Sequence, residues 1–479
     1  MSRRYILSLS VGALLLFGAL RLTALSTFPP FIDEGFSVEV AREILAGRLT
    51  PFATEARTFT IWLLALFQAP SAPDVLWLIR AVSVLVTFIG FAAFIGTARI
   101  LGGRQAALFA ALIGLFSPYH FFYERLALAD PLAAAAALCG VYFAARLRKR
   151  AALSDALLCG VALFAAVGFK LTVIAFLGVP LAAFLTLNKG YALSMRLRWL
   201  AVALGSAAAL TAAFAALQAW RGYNWFGPIT AHNAGGFSLA RLAENIPHTV
   251  ALFSGFFGVP FSVALVVAFC VLVVRRQLFV PLCSVGILGV LWLNQTQYGR
   301  FFGAAFSLLL LGAALGLADV LRRTAWRGTA GGALLIAAWA ALFFVPFRAA
   351  LLAGEAPPTL PDAEYREYVS SDASGFRLED VLSALHERGA QRVVGVIANC
   401  EGLRMRARGS LTVICPRLQH SGANRAAVAE EVRALRQAGT FAVLENIPYL
   451  PEQLDGEVVL RFQKPRQGST YTLYDLTPR

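Results

Sequence analysis

The sequence predicts an α-helical polytopic membrane protein of about eleven transmembrane helices, followed by a soluble α/β domain at the C-terminus. Hydrophobic residues fill 58% of the 479 positions and charged residues only 14%, whereas soluble proteins carry about a quarter charged residues. The apolar residues form long runs, and a helix needs roughly 20 of them to cross a bilayer. Beyond residue 348 the runs stop, and helix and strand signals alternate instead.

Eleven apolar runs are expected to cross the membrane. They lie at 5–25, 75–101, 105–119, 126–146, 153–169, 171–188, 199–219, 250–274, 278–294, 301–321 and 329–347. For the first run a cleaved signal peptide is the alternative, because the run follows a basic start.

The basic residues orient the chain in the membrane. Residues 1–348 carry 27 Lys and Arg against 11 Asp and Glu, whereas residues 349–479 carry 15 against 16. Basic loops occur on alternate connections, which marks them as cytoplasmic; they are 2–4, 146–150, 189–198, 275–277 and 322–327. The N-terminus is therefore predicted to be cytoplasmic and the C-terminal domain external. The net charge of +15 then needs no nucleic-acid partner.

The C-terminal part divides into a Pro-containing linker, 349–361, and an α/β domain, 362–479. Helices are predicted at 376–389 and 424–439, and strands at 392–398, 411–415, 441–445, 457–462 and 469–476. Cys400 and Cys415 each end a strand-like run on the external side, where a disulfide is stable. The sequence leaves open whether these two cysteines form a disulfide or remain two free buried thiols.

Two adjacent acids, Asp33 and Glu34, open the first external connection, 26–74. An amphipathic pattern follows them as far as residue 45, and a second short apolar segment lies at 59–68. We expect two helices along the membrane surface, with the acids at the start of the first. A simple helix-capping role is the alternative for Asp33, because a helix N-terminus favours carboxylates.

Further acids follow on the same predicted face of the membrane. The segment "SPYHFFYERLALADPL" (117–132) supplies Glu124 and Asp130. Acids near the membrane are costly and tend to be functional. For Asp130, which precedes a proline, capping of the next span is the alternative.

Three cations, Arg125, Lys170 and Arg300, are also expected at this outer rim. Lys170, at a break between two apolar runs, could simply extend its charge to the interface, as long basic side chains usually do. Together, beside the acids, they suit a lipid-linked phosphate better. Candidate substrate contacts near them are Glu124, His120, Tyr298 and His232.

Three segments carry a resemblance to a known family: "FIDEGFSVEVAREILAGRLTPF", "ERLALADPLAAAAALCGVYFAAR" and "QYGRFFGAAFSLLLLGAALGL". In this order and on one face, they resemble the glycosyltransferase C-type membrane enzymes. The match is best to the family 39-like branch of protein O-mannosyltransferases and lipid A aminoarabinose transferases. The resemblance implies a GT-C-like body and a sugar donor on a polyprenyl phosphate.

The resemblance also assigns roles to residues. Asp33 matches the presumed catalytic base of that family and Glu34 the acid beside it, while Asp130 matches the acid of the second loop, with Glu124 as its competitor. Arg300 matches the arginine thought to meet the donor phosphate, with Lys170 and Arg125 as further cations.

The expected function is an inverting sugar transfer at the outer, periplasmic face of a bacterial inner membrane. The acceptor could be a lipid, a glycan or a protein. No cofactor is certain, but two or three carboxylates would permit a divalent metal. The alternatives are a transporter or flippase of lipid-linked glycans, and a polymerase or ligase of such glycans. A transporter favours acids or broken helices at mid-membrane, whereas the acids here cluster at one face.

Overall fold

The computed structural model of the chain is predominantly helical and ends in a small sheet. The residues it describes are 3–52, 57–150, 152–187, 190–227, 238–294, 298–322, 325–407, 411–416, 430, 432–435, 439–445 and 457–476.

Helices fill the described chain as far as residue 352. They are α1 (Arg3–Leu22), α2 (Ile32–Leu45), α3 (Thr58–Leu66), α4 (Val75–Leu115), α5 (Pro118–Tyr123), α6 (Ala129–Arg150), α7 (Leu153–Phe169), α8 (Gly178–Thr186), α9 (Leu193–Trp220), α10 (Leu242–Phe257), α11 (Val259–Val274), α12 (Phe279–Leu293), α13 (Gly303–Leu321), α14 (Ala325–Trp339) and α15 (Val345–Leu352). Short 3-10 helices precede α8, at Leu171–Leu177, and α13, at Gly299–Phe302.

Among the described residues, five helices are long and apolar enough to cross a membrane. They are Val75–Leu115, Ala129–Lys149, Leu193–Trp220, Gly299–Leu321 and Gly328–Leu352. The bent pair α10–α11 makes a sixth if it is one span. Four shorter apolar helices, Val11–Leu22, Leu153–Phe169, Ile174–Thr186 and Phe279–Leu293, coincide with expected runs. The chain is therefore a helical body of membrane-spanning character, as its composition predicts.

Helix α4 contains the expected run 75–101 and most of the run 105–119. It is 41 residues long, but its backbone breaks at Gly103, where φ is +81°, a conformation open to glycine. A Cβ on Gly114 would lie 2.8 Å from the Phe91 ring, so the chain folds back on itself after the break. The runs 75–101 and 105–119 thus lie side by side.

The expected run 250–274 is not one straight helix. Helices α10 and α11 meet at Gly258, where φ is +77°, and their axes differ by 114°. The glycine again allows a backbone conformation that other residues rarely adopt. This break lies inside an apolar stretch, where hydropathy alone gives no sign of it.

The C-terminal part forms a five-stranded mixed sheet with flanking helices. Its elements are α16 (Asp362–Tyr365), α17 (Leu378–Glu387), β1 (Arg392–Val396), α18 (Cys400–Arg406), β2 (Thr412–Ile414), β3 (Thr440–Glu445), β4 (Glu457–Gln463) and β5 (Thr470–Asp475). The strand order is β2-β1-β3-β5-β4, with β2, β1 and β3 parallel and the last two pairings antiparallel. Each strand lies within two residues of its predicted position. The predicted helix 424–439 falls mostly outside the described residues.

This sheet domain docks on α2 through α18. A Cβ on Gly35 would lie only 2.8 Å from the Cβ of Glu401, so the two helices touch at a position without a side chain. Arg42 Nη1 lies 3.0 Å from Glu401 Oε2, and the amide of Asn399 donates to the carbonyl of Pro30 at 2.8 Å. The C-terminal domain therefore helps to fix the start of α2.

Candidate active site

The two acids at the start of α2 have different surroundings. Glu34 is fully buried and bound by four donors: Arg80 Nε at 2.8 Å, Arg80 Nη2 at 2.7 Å, and the backbone N–H groups of Phe31 at 2.9 Å and Ala127 at 2.8 Å. The remaining Arg80 N–H groups donate to carbonyls of residues 25, 28 and 29. Glu34 thus ties α2 to α4 and to the start of α6, and both of its oxygens are occupied.

Asp33 instead lies at an opening, with 20% of its side chain exposed. Arg57 Nη2 lies 3.0 Å from its Oδ1, and Arg300 Nη2 lies 3.2 Å from its Oδ2. Burial alone would raise the pKa of Asp33, but Arg57, Arg300 and Lys170 together outweigh it and lower the pKa. Asp33 is therefore ionised at neutral pH and can accept a proton.

Arg300 is the centre of the site. It lies on the 3-10 turn before α13, and its Nη1 is 2.6 Å from Glu367 Oε1 and 3.4 Å from the hydroxyl of Tyr368. Its Nε is 3.7 Å from Asp130 Oδ2, too far for a hydrogen bond. This buried Nε has no hydrogen-bond partner among the described residues. The guanidinium therefore has donor capacity left for a ligand.

The turn that carries Arg300 is held from two sides. The N–H of Gly299 donates to Glu364 Oε1 at 3.1 Å, and the hydroxyl of Tyr119 donates to the carbonyl of Gly299 at 2.7 Å. Glu364 is buried and also accepts from the hydroxyl of Tyr123. These contacts fix the backbone of the turn, so the position of the Arg300 side chain is set by α5 and α16.

Lys170 and Asp130 form the second ion pair of the site. Lys170 follows the end of α7, and its Nζ lies 2.6 Å from Asp130 Oδ1 at the start of α6 and 4.2 Å from the ring centre of Phe301. Burial lowers the pKa of Lys170 to about 8, although Asp130 opposes the shift. The pair lies beside Arg300, whose Nε is 3.7 Å from Asp130 Oδ2.

These groups form one charged cluster with three acidic and three basic side chains. Its members are Asp33, Asp130, Glu367, Arg57, Lys170 and Arg300. Each basic side chain of the cluster lies against a carboxyl group, so an anionic ligand that binds one of them competes with that carboxyl group. Tyr298 flanks the cluster, with its ring centre 4.6 Å from the Arg300 guanidinium carbon.

Other predicted residues lie away from the cluster. Arg125 donates to carbonyls at the end of α1 and beyond it, at 3.0 Å to Arg21, 2.7 Å to Thr23 and 2.9 Å to Ala24. Its predicted contact with the donor phosphate finds no support in this position, because its donors already serve the backbone. His232 lies outside the described residues.

Glu124 and His120 line a cavity of about 40 Å³ that Arg300 also lines. Glu124 Oε2 lies 3.0 Å from Arg21 Nε, and burial raises the pKa of Glu124 to about 7 although Arg21 opposes the shift. His120 bonds to Ser307 at 2.8 Å. Of the two competing acids of the second loop, the structure brings Asp130, not Glu124, to the charged cluster.

Sequence reasoning missed four members or supports of the site: Arg57, Glu364, Glu367 and Tyr368. Arg57 lies in the same external connection as Asp33, just before the second apolar segment, so its position could have identified it as a candidate site residue. The other three lie in "DAEYREY" (362–368), directly after the linker. Acids and tyrosines three residues apart there mark one face of a helical turn.

The donor set does not fit a resident metal ion. Among the described residues, no three His, Cys, Asp or Glu side chains are grouped as a metal site requires. Asp33 and Asp130 are paired with cations instead, so we derive no step through a metal. Away from the site, Cys400 and Cys415 are joined by a disulfide that links α18 to the end of β2.

The fold is similar to that of solved membrane enzymes. The structure of ArnT from Cupriavidus metallidurans bound to undecaprenyl phosphate matches with a TM-score of 0.66 and 16% identity, over 100% of both chains. Its apo structure matches equally well, with a TM-score of 0.66, 16% identity and 99% of both chains. The oligosaccharyltransferase AglB from Archaeoglobus fulgidus, in complex with an inhibitory peptide and a dolichol-phosphate, matches with a TM-score of 0.53 and 14% identity, over 98% of this chain and 74% of that one.

No protein-family model matches the sequence, and no curated protein matches it. The structural matches nevertheless extend over almost the whole chain, membrane body and C-terminal domain together. The chain has the fold of these ArnT and AglB structures, and the fold expected from the three sequence segments is confirmed.

Proposed function

We propose that the protein is an inverting glycosyltransferase that moves a sugar from a polyprenyl-phosphate donor to an acceptor, with Asp33 as general base. The observation that carries this proposal is the position of Asp33, partly exposed and held between Arg57 and Arg300. An ionised carboxylate next to cations suits a reaction that removes a proton from one substrate and releases a phosphate from the other.

The reaction follows from the groups in the charged cluster. The acceptor oxygen attacks the anomeric carbon while Asp33 takes its proton, and the bond to the phosphate oxygen breaks with its electron pair. Arg300 and Lys170 stabilise the charge that develops on the leaving phosphate. A single displacement of this kind inverts the configuration at the sugar carbon.

Donor binding also makes Asp33 a better base. Arg300 is shared among Asp33, Asp130 and Glu367, and it contributes to the lowered pKa of Asp33. A donor phosphate that engages Arg300 weakens this interaction, so the pKa of Asp33 rises toward its ordinary value. A base with a higher pKa takes the acceptor proton more readily.

The undecaprenyl phosphate and dolichol-phosphate of the similar structures support a lipid-linked donor. Such a donor stays in the bilayer, so the site belongs at the membrane boundary. From the loop charges we place it on the outer face of a bacterial inner membrane, with the N-terminus in the cytoplasm and the C-terminal domain outside. The acceptor is a lipid, glycan or protein that reaches this face.

The test is the Asp33→Asn variant of the full chain in detergent, supplied with lipid-linked sugars extracted from the producing cells. We expect release of polyprenyl phosphate to fall by about 10²–10⁴-fold, the usual contribution of a general base. The matched control is Glu43→Gln, which removes a carboxylate from the same helix where it pairs with Arg48. Undiminished transfer by the Asp33 variant would refute the assignment of the base.

The same assay separates transfer from transport. A transporter or flippase moves the donor unchanged, so the sugar stays on the polyprenyl phosphate. A transferase produces free polyprenyl phosphate in proportion to the glycosylated acceptor.

A further inference from the structure

Glu367 is an acid of the charged cluster whose role the proposed reaction leaves open. It lies on the π-helical turn Arg366–Ser370, directly after α16. Its Oε1 accepts from Arg300 Nη1 at 2.6 Å, and 16% of its side chain is exposed. Its other oxygen, Oε2, has no hydrogen-bond partner in the part of the chain that the structure describes. Glu367 is therefore anchored at one oxygen, while the other meets none of the described residues, next to the guanidinium expected to meet the phosphate.

The surroundings of Glu367 disfavour a negative charge. Burial is the largest influence, Arg300 opposes it, and three further carboxyl groups reinforce it: Glu364 on the adjoining α16, Asp33 on α2 and Asp130 on α6. Together they raise the pKa of Glu367 to about 8. The hydroxyl of Tyr368 faces the same guanidinium nitrogen and stays neutral, because burial raises its pKa well above the ordinary value.

The protonation state decides what Glu367 can do for a phosphate. A carboxylate next to Arg300 competes with the phosphate for the guanidinium and repels it. A neutral carboxyl can accept from Arg300 at one oxygen and donate its O–H from the other. Hydrogen bonds from a neutral O–H to an anionic oxygen are among the stronger ones in proteins.

We propose that Glu367 binds the donor phosphate together with Arg300, as an uncharged carboxyl whose O–H donates to a phosphate oxygen. This inference rests on the proposed function, in which Arg300 meets that phosphate. It assigns the segment after the linker a direct part in donor recognition. It also implies that donor binding weakens where Glu367 loses its proton.

The opposite role makes opposite predictions. If Glu367 were a carboxylate that occupies Arg300 until the phosphate displaces it, removing its charge would strengthen binding. Glutamine distinguishes the two roles, because its amide group has the shape of a neutral carboxyl and one side that donates. Alanine removes the donor altogether.

The experiment measures undecaprenyl phosphate binding to the full chain in detergent, between about pH 6.5 and pH 9.5. At neutral pH we expect Glu367→Gln to bind within about three-fold of the wild type and Glu367→Ala about ten-fold more weakly. Above about pH 8 the wild type ionises at Glu367 while the Gln variant cannot, so the affinity of the wild type relative to the variant falls by up to about ten-fold per pH unit. Ionisation of the phosphate itself affects both proteins and cancels in this ratio.

Two controls keep the outcomes distinct. Asp362→Asn removes an exposed carboxylate from α16, next to the turn, where it pairs with Arg466, and should leave binding unchanged. Arg300→Ala should weaken binding strongly. If the wild type and Arg300→Ala bind equally, the proposed function fails. Suppose that Arg300→Ala does weaken binding. The role of Glu367 is then overturned by any one of three results: Glu367→Ala binds as well as the wild type, one of the two Glu367 variants binds more tightly than the wild type at neutral pH, or the ratio of wild-type to Gln-variant affinity does not change with pH.

Discussion

Substituting the two neighbouring acids of α2 should produce opposite defects. In Glu34→Gln, the carboxylate that binds two Arg80 nitrogens and two backbone N–H groups becomes an amide with a single acceptor oxygen. Its NH₂ group then faces donors, and the Arg80 charge stays buried without a counter-ion. In Asp33→Asn, the affected side chain is 20% exposed and one of its partners, Arg57, is 29% exposed.

The magnitudes follow from burial. Breaking a buried ion pair by removing one charge costs about 3–5 kcal/mol, and both partners here are at most 1% exposed. Loss of a partly exposed pair costs about 0–1 kcal/mol. Glu34→Gln should therefore unfold at a temperature lower by on the order of 5–10 °C, while Asp33→Asn should unfold within about 2 °C of the wild type.

The assay is thermal unfolding of the detergent-solubilised variants, paired with the release of polyprenyl phosphate at a temperature where both are folded. Asp33→Asn should lose turnover and keep its stability, whereas Glu34→Gln should lose stability and keep measurable turnover. A stable but inactive Glu34→Gln protein would refute the separation of roles, as would an Asp33→Asn protein that melts as early as Glu34→Gln.

Three further outcomes are expected. Arg57→Ala removes a cation that lowers the pKa of Asp33, so the acid limb of the pH profile of transfer should move to higher pH, and an unmoved limb would contradict the pairing. Replacing both Cys400 and Cys415 by serine removes a disulfide across a sequence separation of 15, which stabilises the folded state by about 3 kcal/mol. Limited proteolysis of the C-terminal domain should therefore be faster in this variant, and equal rates in both proteins would argue against a stabilising disulfide. Gly35→Ala places a Cβ 2.8 Å from α18 and should reduce both stability and turnover, and normal values for both would show that the two helices can separate freely.

The elements that sequence predicted well are those with a strong local pattern. The strands of the C-terminal domain and the amphipathic helix after Asp33 follow from alternation and helical spacing, which neighbouring residues determine. The break at Gly258 was missed because an apolar residue run has the same hydropathy whether it is straight or bent. A lone glycine in such a run gives only a weak hint.

The site was only partly predictable for a related reason. Asp33, Asp130, Lys170 and Arg300 were named because acids and cations are rare near apolar runs. Glu367 was missed because it lies in a polar segment, where one more acid is unremarkable. Contacts between these residues depend on the packing of segments that are distant in the sequence, and no local sequence pattern encodes that packing.

The docking of residues 362–368 against Arg300 has a consequence for biosynthesis. Asp33, the proposed base, is synthesised well before Glu364 and Glu367, which follow the helices α1–α15 that the structure describes. A nascent chain can thus insert and pack its helices before Glu364 and Glu367 are present to bind the turn that carries Arg300. On the proposed function, transfer activity is then acquired only once this C-terminal segment has been made and has docked.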